Sequence, residues 1–205
     1  SYGSESIFRH LSLSVKTGEI VTITGRTGAG KSTLFKLILG LYAPKEGTIR
    51  VFGCKPADLS PALRRQVFGY VEQQFHDVAG TVGDQVTLKD PRVSEEAVEK
   101  ALRLVGLWDL CSALPEGLET PFRQEFFSRG QLQLLSIARA VVMNPRILLL
   151  DEITANLDAL TEQQVLTALQ AASQNRTVLS ISHRLYEAQG GRMVIMGTAK
   201  HGSPS

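Results

Sequence analysis

The sequence predicts an α/β fold with a mostly parallel sheet, an antiparallel β subdomain near the N-terminus and an inserted α-helical subdomain. The first observation is an apolar segment, residues 20–24, followed by a glycine-rich loop and a helical pattern over residues 33–39. The second is the apolar run of residues 147–150, which is typical of a parallel strand covered on both faces. The third is the stretch from residue 84 to about 144, where helical periodicity replaces any strand pattern.

The length of 205 residues suits a single domain with its own core. Within it we expect a core of residues 1–83 and 145–205 and a helical subdomain of about 84–144. Apolar residues make up 43% and charged residues 20%, which is ordinary for a soluble globular protein. No apolar run approaches the roughly 20 residues of a membrane span, and no signal peptide is evident.

The net charge and the cysteines exclude several classes of function. A formal net charge of +2 is too small to indicate nucleic acid or an anionic membrane as a partner. The two cysteines, Cys54 and Cys111, give neither metal-ligand spacing nor a disulfide framework. We therefore expect reduced thiols, a cytosolic compartment and no nucleic acid partner.

The remaining elements follow from apolar periodicity and from caps. Gly40 is placed to end the first helix, and Ser94 is placed to cap a later one. The predicted strands are residues 7–15, 20–24, 48–52, 67–71, 147–150, 177–182 and 193–196. The predicted helices are residues 33–39, a segment after Ser94 that ends at Gly106, 130–143 and 161–172.

The stretch with the clearest chemistry is the loop between the first strand–helix pair. It consists of Gly25, Arg26, Thr27, Gly28, Ala29, Gly30, Lys31 and Ser32. It fits G-x-x-x-x-G-K-[ST], in which backbone N–H groups cradle phosphates, the lysine reaches the β- and γ-phosphates and the hydroxyl binds Mg²⁺. A glycine-rich turn that binds nothing is the alternative, but strand, loop and helix occur in the order that phosphate binding needs. The sequence thus predicts a P-loop NTPase core.

Two carboxylates, Asp151 and Glu152, directly follow the apolar run of residues 147–150. Ligands of parallel sheets bind at the carboxyl ends of strands, so we expect this pair beside the loop. Asp151 suits the Mg²⁺ shell, and Glu152 suits the general base for an attacking water. The alternative is a solvated pair at a strand end.

Three further side chains lie at predicted strand ends. His183 follows one strand and could contact a γ-phosphate or position the water, although a lone histidine is more often structural. Gln73 follows another strand and could contact the metal and the water. Gln74 competes for that role on local grounds, and a polar loop remains an alternative for both.

Residues 128–131 begin a predicted helix with Ser128, Arg129, Gly130 and Gln131. A serine and a glycine at a helix start can form a second anion site. Two such helix starts indicate a nucleotide clamped between two copies. The alternative is an ordinary N-cap serine.

Together these residues resemble the nucleotide-binding domain of ATP-binding-cassette (ABC) transporters over nearly the whole chain. The resemblance places Walker A at residues 25–32, Walker B at 147–152, the D-loop at 155–158, the switch histidine at His183 and the LSGGQ signature at 127–131. The spacing from Gln73 to Gly80 and Thr81 is similar to the family's Q-loop, which favours Gln73 over Gln74. Tyr2 stands where the family places an aromatic against adenine.

The resemblance implies ATP and Mg²⁺ as ligands and an ATPase that powers transport, as in exporters. It implies catalytic roles for Glu152, His183 and Gln73, and metal contacts from Ser32, Gln73 and Asp151. The implied nucleotide contacts are Tyr2, residues 25–32, Thr33, Asp151, Ser128, Gly130, Gln131 and Asp158. The implied partners are a second ABC ATPase domain, in a head-to-tail homo- or heterodimer, and transmembrane domains in the same longer chain or a separate subunit. The implied location is the cytoplasmic face of the cell membrane.

The sequence departs from the family pattern at the signature. Phe127 replaces the leucine, Arg129 replaces the first glycine, and the preceding loop of residues 120–126 lacks the usual glycine-rich stretch. These departures leave open a regulatory half that binds nucleotide with little catalysis. A non-transport ABC ATPase acting on DNA or ribosomes is a further alternative, which the exporter-like segment of residues 73–81 disfavours.

Overall fold

The computed structural model describes residues 11–26, 29–152, 157–181, 187 and 190–196 of the chain. Their strands form one sheet in the order β2-β3-β4-β1-β5. All the pairings between neighbouring strands are parallel, which confirms the predicted parallel sheet. The strands are β1 Ile20–Thr24, β2 Phe68–Val71, β3 Ile147–Leu150, β4 Thr177–Ser180 and β5 Arg192–Ile195. The carboxyl ends of all five therefore lie at one edge.

Both faces of the sheet are covered. Within β3, Leu148 and Leu150 join one buried cluster, and Ile147 and Leu149 join the other. This alternation follows from the pleat of a strand, which turns successive side chains to opposite faces. The fold thus has three layers, as a continuous apolar strand requires.

The described residues also form α-helices. They are α1 Lys31–Ile38, α2 Pro61–Val67, α3 Val82–Thr87, α4 Glu95–Leu104, α5 Trp108–Ser112, α6 Arg129–Val141 and α7 Ala159–Ser173. Short 3₁₀ helices occupy Pro56–Asp58, Gly117–Glu119 and Gln124–Phe126. Between α3 and α6, all of which is described, the only β pairing is an isolated bridge of Thr81 with Pro121. The expected helical character of this stretch is confirmed, while its division from the core as a subdomain stays a prediction.

The predicted caps are found where the sequence placed them. The Ser94 side chain accepts a hydrogen bond from the Ala97 N–H at 3.2 Å and so begins α4. Gly40 follows the end of α1 with φ +70°, a conformation that glycine adopts without strain. No sequence pattern predicted α2, which begins at Pro61 after the capping side chain of Ser60.

The predicted strand over residues 48–52 is wrong. Only an isolated antiparallel bridge forms there, between Val51 and Cys54. Phe52 and Gly53 both have positive φ, +50° and +83°, so the chain turns back directly after Val51. Residues 11–15 form no strand either, and residues 7–10 lie outside the described residues. In the described part of the chain, the antiparallel region near the N-terminus is this one bridge.

Helix α6 lies directly against β2. A Cβ added at Gly69 would come within 2.4 Å of the Ala140 carbonyl oxygen, so only glycine permits this approach. This approach is at the last turn of α6; nearer its start, Gln133 Nε2 donates to the Gln73 carbonyl at 2.8 Å, which places the start of α6 beside the segment after β2. Among the described residues, no helix is long and apolar enough to cross a membrane.

Candidate nucleotide-binding site

The glycine-rich loop joins the end of β1 to the start of α1, as predicted. Gly25 has φ +156°, and a Cβ there would lie 2.9 Å from the Met196 carbonyl oxygen. Gly30 precedes α1 with φ +82°, in the left-handed region. The Ala29 N–H donates to the Arg26 carbonyl at 3.0 Å. Thr27 and Gly28 lie outside the described residues.

The Lys31 ammonium lies over the loop. It donates to the carbonyl oxygens of Gly25 at 3.0 Å and Arg26 at 3.2 Å. Gly30 has no side chain with which to cap α1, and the first turn of the helix carries no acidic residue. The positive end of the helix dipole and the ammonium thus meet at one place, where an anion is stabilised. Thr33 follows within the first turn of α1.

The Asp151 carboxylate lies at the carboxyl end of β3, opposite α1. Its Oδ1 accepts a hydrogen bond from the Ser32 hydroxyl at 3.2 Å, and its Oδ2 accepts one from the Tyr70 hydroxyl at 3.2 Å. Asp151 is buried, with 6% of its surface exposed. A buried carboxylate without partners is costly, and these two donors offset part of that cost.

Tyr70 was missed by the sequence reasoning. Burial, with the Asp151 charge as a second cause, raises the pKa of Tyr70 well above its ordinary value, so its hydroxyl remains a neutral donor. The available signal was a tyrosine inside a short apolar strand, since a buried tyrosine hydroxyl usually has a hydrogen-bond partner.

The oxygens of Ser32 and Asp151 fit Mg²⁺. This ion takes oxygen ligands and is usually held by one or two carboxylates together with substrate phosphates and waters. The described residues contain no cluster of three or more His, Cys, Asp or Glu side chains that could enclose a metal. A hydroxyl and one carboxylate would suit an ion that is also held by phosphates and waters.

Glu152 follows Asp151 at the edge of the sheet and is exposed. Its φ of +43° lies in the left-handed region, which costs a non-glycine residue free energy. Such backbone conformations are concentrated at functional sites, although others occur in this chain. The carboxylate is therefore open to solvent beside the buried Asp151.

Gln73 lies at the same edge as Asp151. In the β2–β3 register Val71 is opposite Leu150, and the Asp151 N–H donates to the Val71 carbonyl at 3.0 Å. The Gln73 side chain is exposed, and among the described contacts it makes no hydrogen bond to Ser32 or Asp151. Its carbonyl accepts a hydrogen bond from Gln133 Nε2 of α6 at 2.8 Å. The structure brings Gln73 to this edge, without a described hydrogen bond to the Ser32–Asp151 pair.

Other predicted site residues lie outside the described residues, namely Tyr2, His183 and, in the D-loop, Ala155 and Asn156. Asp158 of that loop is described and is exposed. Its Oδ1 accepts a hydrogen bond from the Thr161 N–H at 3.0 Å and so caps α7. This contact lowers the pKa of the Asp158 carboxyl. Within its own chain Asp158 therefore begins a helix.

The start of α6 is a reciprocal capping box. Ser128 Oγ accepts from the Gln131 N–H at 3.2 Å, and Gln131 Oε1 accepts from the Ser128 N–H at 2.8 Å. The Ser128 hydroxyl hydrogen is not used by this cap and can donate to a ligand. A Cβ at Gly130 would lie 2.0 Å from Thr161 Cγ2, so a glycine is needed where α6 meets α7. Arg129 is exposed at the helix start.

A family model and several known proteins are similar to this chain. A family model described as ABC transporter matches residues 8–155. The chain is 35% identical over 194 residues to the probable multidrug resistance ABC transporter ATP-binding/permease protein YheH of Bacillus subtilis, covering 94% of this chain and 29% of that protein. It is 39% identical over 193 residues to the alpha-hemolysin translocation ATP-binding protein HlyB of Proteus vulgaris, covering 93% of this chain and 27% of that protein.

A solved structure is also similar. It is a bacterial Atm1-family ABC exporter with ATP bound, with a TM-score of 0.81 and 33% identity. The match covers 96% of this chain and 35% of that one. The chain thus spans about a third or less of these similar proteins.

Proposed function

The chain belongs to the ABC transporter family as an ATP-binding and ATP-hydrolysing domain, and we propose that it powers the export of a substrate across a membrane. One observation carries the proposal. Lys31 lies over the glycine-rich loop, and the Ser32–Asp151 pair lies at the same edge of the sheet. Phosphate binding and metal binding are thereby adjacent.

The proposal of export draws on what similar proteins are called. Their names include multidrug resistance, hemolysin translocation and leukotoxin export. The Bacillus subtilis protein is an ATP-binding/permease protein, of which this chain spans 29%. We therefore propose transmembrane domains as partners, in the same longer chain or in a separate subunit. We also propose that the chain lies at the cytoplasmic face of the membrane.

In the proposed site, this chain's residues hold Mg²⁺ and ATP. The N–H groups of residues 25–33 and the Lys31 ammonium bind the phosphates, and Tyr2 stacks on adenine. Ser32 and Asp151 hold Mg²⁺, with Gln73 as a further ligand. When bound, the ion would supply positive charge that stabilises the charge developing on the phosphates.

The chemistry assigned to the chain is proton transfer and positioning. Glu152 takes the proton of the attacking water, and Lys31 and His183 steady the γ-phosphate. A positioned general base contributes about 10²–10⁴-fold to the rate. The exposure of Glu152 supports this role, because the carboxylate is accessible to a water at the strand end.

A second domain completes each site in this proposal. Two domains pair head to tail, as a homo- or heterodimer, and Ser128, Gly130 and Gln131 of one contact the nucleotide on the loop of the other. Asp158 lies at the same interface. The free hydroxyl hydrogen of Ser128 supports the assignment, since the capping box uses only the oxygen as an acceptor.

A regulatory half with little catalysis is the second candidate. The observation that favours it is Arg129, a long side chain at a position where the family has glycine. Against it stands Glu152, which this chain retains beside Asp151. The two candidates differ in turnover, not in ATP binding.

Binding of a fluorescent ATP analogue with Mg²⁺ tests the proposal. Lys31→Ala is compared with Lys36→Ala, a control on the same helix whose ammonium lies 5.9 Å from the Tyr42 ring. We expect Lys31→Ala to weaken binding by tenfold or more, since tenfold is about 1.4 kcal/mol and removes one charge-assisted contact. We expect Lys36→Ala to bind like the unchanged chain. Unchanged affinity in a folded Lys31→Ala variant would contradict the proposal.

A further inference from the structure

Three aromatic rings connect the segment after Gln73 with the start of α6. The ring centroids of Phe75 and Phe122 lie 5.9 Å apart, and those of Phe122 and Phe127 lie 5.7 Å apart. The planes of Phe122 and Phe127 are inclined by only 21°, so these rings are stacked. Both distances lie within the range of favourable aromatic pairs. We call these three rings the aromatic column.

Arg139 closes the far end of the column and belongs to α6 itself. Its guanidinium carbon lies 4.6 Å from the Phe75 ring centroid, within the range of a cation–π contact. The same guanidinium donates to the carbonyl oxygens of Gln85 at 2.6 Å and His76 at 2.8 Å. The column therefore runs from Phe127, just before the cap of α6, through two loops to a contact with Arg139 of the same helix.

The backbone holds the middle of the column in place. The Phe122 N–H donates to the Gly80 carbonyl at 2.9 Å, and the Val82 N–H donates to the Thr120 carbonyl at 2.9 Å. Beside the column, Gln133 Nε2 of α6 donates to the Gln73 carbonyl at 2.8 Å. The segment after β2, the loop before α6 and α6 itself are thus joined at several points.

Phe127 directly precedes Ser128, the capping residue of α6. Its side chain is buried, with 7% exposed, and its ring stacks on Phe122. A leucine at this position would leave the flat face of Phe122 without a stacked partner. The loop from Phe122 to Phe127 contains only one turn of 3₁₀ helix, at Gln124–Phe126. The column is therefore a main constraint on the position of Ser128 at the end of this loop.

We infer that Phe75, Phe122 and Phe127 are positioning residues that hold the Ser128 hydroxyl in place for the nucleotide of a second copy of this chain. The inference rests on the proposed function, in which Ser128 acts on its partner's ATP. A misplacement of about 1 Å in such a contact can cost about 10²-fold in rate. Loosening the column therefore lowers turnover in the partner's site and leaves ATP binding to the chain's own loop unchanged.

Complementation between two defective variants tests this placement. Phe122→Leu keeps an apolar side chain but removes the stacked ring, and Lys31→Ala disables the chain's own phosphate loop. In a mixed pair, the loop of the Phe122→Leu chain faces the intact Ser128 of the Lys31→Ala chain. We expect the mixture to hydrolyse ATP faster than the sum of the two variants assayed separately. Phe122→Leu alone should lose about tenfold in turnover, on the same positioning argument.

Matched controls keep the outcomes distinct. Ser128→Ala mixed with Lys31→Ala shows whether the start of α6 acts on the partner's nucleotide at all. Phe52→Leu removes a ring that also lies under a guanidinium, 5.5 Å from Arg146, but away from the column. It should leave turnover unchanged. If Phe122→Leu proves unstable, Phe122→Tyr is tested beside it. This variant retains the stacked ring and should retain most of the activity.

Each outcome has a defined meaning. If the Ser128→Ala pair complements and the Phe122→Leu pair does not, the column does not act on the partner's site and the inference is overturned. Thermal unfolding shows whether Phe122→Leu is folded. If the folded variant keeps full turnover, the inference is likewise overturned. If the Ser128→Ala pair fails to complement although the unchanged chain hydrolyses ATP, the proposed head-to-tail pairing of two copies fails, and the inference fails with it.

Discussion

The Ser32 hydroxyl and the Asp151 carboxylate lie 3.2 Å apart, although 119 positions separate them in the chain. Ser32 belongs to the first turn of α1, and Asp151 follows β3. The parallel sheet causes this proximity, because it brings the carboxyl ends of β1 and β3 to one edge. A second contact, from the Tyr70 hydroxyl of β2, holds the other oxygen of the carboxylate.

We expect Tyr70→Phe to weaken the metal-dependent part of ATP binding. The substitution removes one of the two donors that hold a buried carboxylate, a contact worth about 1.5–3 kcal/mol. The Mg²⁺ concentration for half-maximal ATP binding should therefore rise severalfold. Tyr42→Phe is the control, because Tyr42 is 48% exposed and lies after α1. An unchanged Mg²⁺ requirement in Tyr70→Phe would show that Asp151 is held without this contact.

We expect Arg129→Gly to leave ATPase activity within about tenfold, or about 1.4 kcal/mol of barrier, and it can raise the activity. Arg129 is exposed at the start of α6, so solvent is available to its side chain. Turnover must be measured on the paired form, because in the proposed function the start of α6 acts on the partner's nucleotide. A loss of about a hundredfold with intact pairing would instead make Arg129 comparable to an arginine finger, whose removal costs about 10³–10⁵.

We expect Asp90→Asn to lower the stability of the chain in a pH-dependent way. Asp90 accepts from Arg92 and forms a 2.8 Å ion pair with Arg65 of α2. The hydrogen bond from Arg92, with the nearby positive charges, lowers the pKa of Asp90 well below its ordinary value. A lowered pKa in the folded state stabilises the fold above the ordinary pKa of an aspartate, about 3.9. That stability is lost as pH falls below this value.

Thermal unfolding at several pH values checks this expectation. The melting temperature of Asp90→Asn should lie below that of the unchanged chain at pH 7 and pH 5. The difference should shrink as the pH falls below about 4, where the unfolded carboxyl becomes protonated. Asp58→Asn, at an exposed position in the 3₁₀ helix Pro56–Asp58, serves as the control. A pH-independent difference would exclude Asp90 ionisation as its cause.

We expect the 205-residue chain to be mainly monomeric without nucleotide. Each proposed site takes contacts from two chains, and the triphosphate between them supplies much of the attraction. Light scattering of the chain with and without ATP and Mg²⁺ measures this. A tight dimer in the absence of nucleotide would show that protein contacts alone hold the pair.

Local sequence patterns predicted the parts of the site that depend on a single segment. The apolar run of β3 placed Asp151 and Glu152, and the glycine spacing placed the loop before α1. The side chains that connect distant segments were not predictable in this way. Gln133 and the Gln73 carbonyl are 60 positions apart, and Arg139 and the His76 carbonyl are 63 apart. Such contacts leave no periodic signal in the sequence.

Backbone conformation explains the error at residues 48–52. The segment has the β-branched and aromatic composition of a strand, but Phe52 adopts a positive φ that such residues rarely take. Composition records the average preference of a residue, whereas the turn at Phe52 and Gly53 depends on the particular fold. The short helix α2 was missed for a related reason, because it has no buried residue to mark an apolar face.

ATP turnover of Glu152→Gln tests the central claim most directly. The substitution keeps the shape of the side chain and removes its ability to take a proton from water. We expect ATP binding to be retained, turnover to fall by about 10²–10⁴-fold, and an ATP-bound dimer to accumulate. Glu72→Gln is the matched control, a carboxylate after the neighbouring strand β2 that pairs with His76 at 3.0 Å, and should retain turnover. Near-unchanged hydrolysis by Glu152→Gln would contradict the account and move the role of general base to another residue, with His183 the first to be tested.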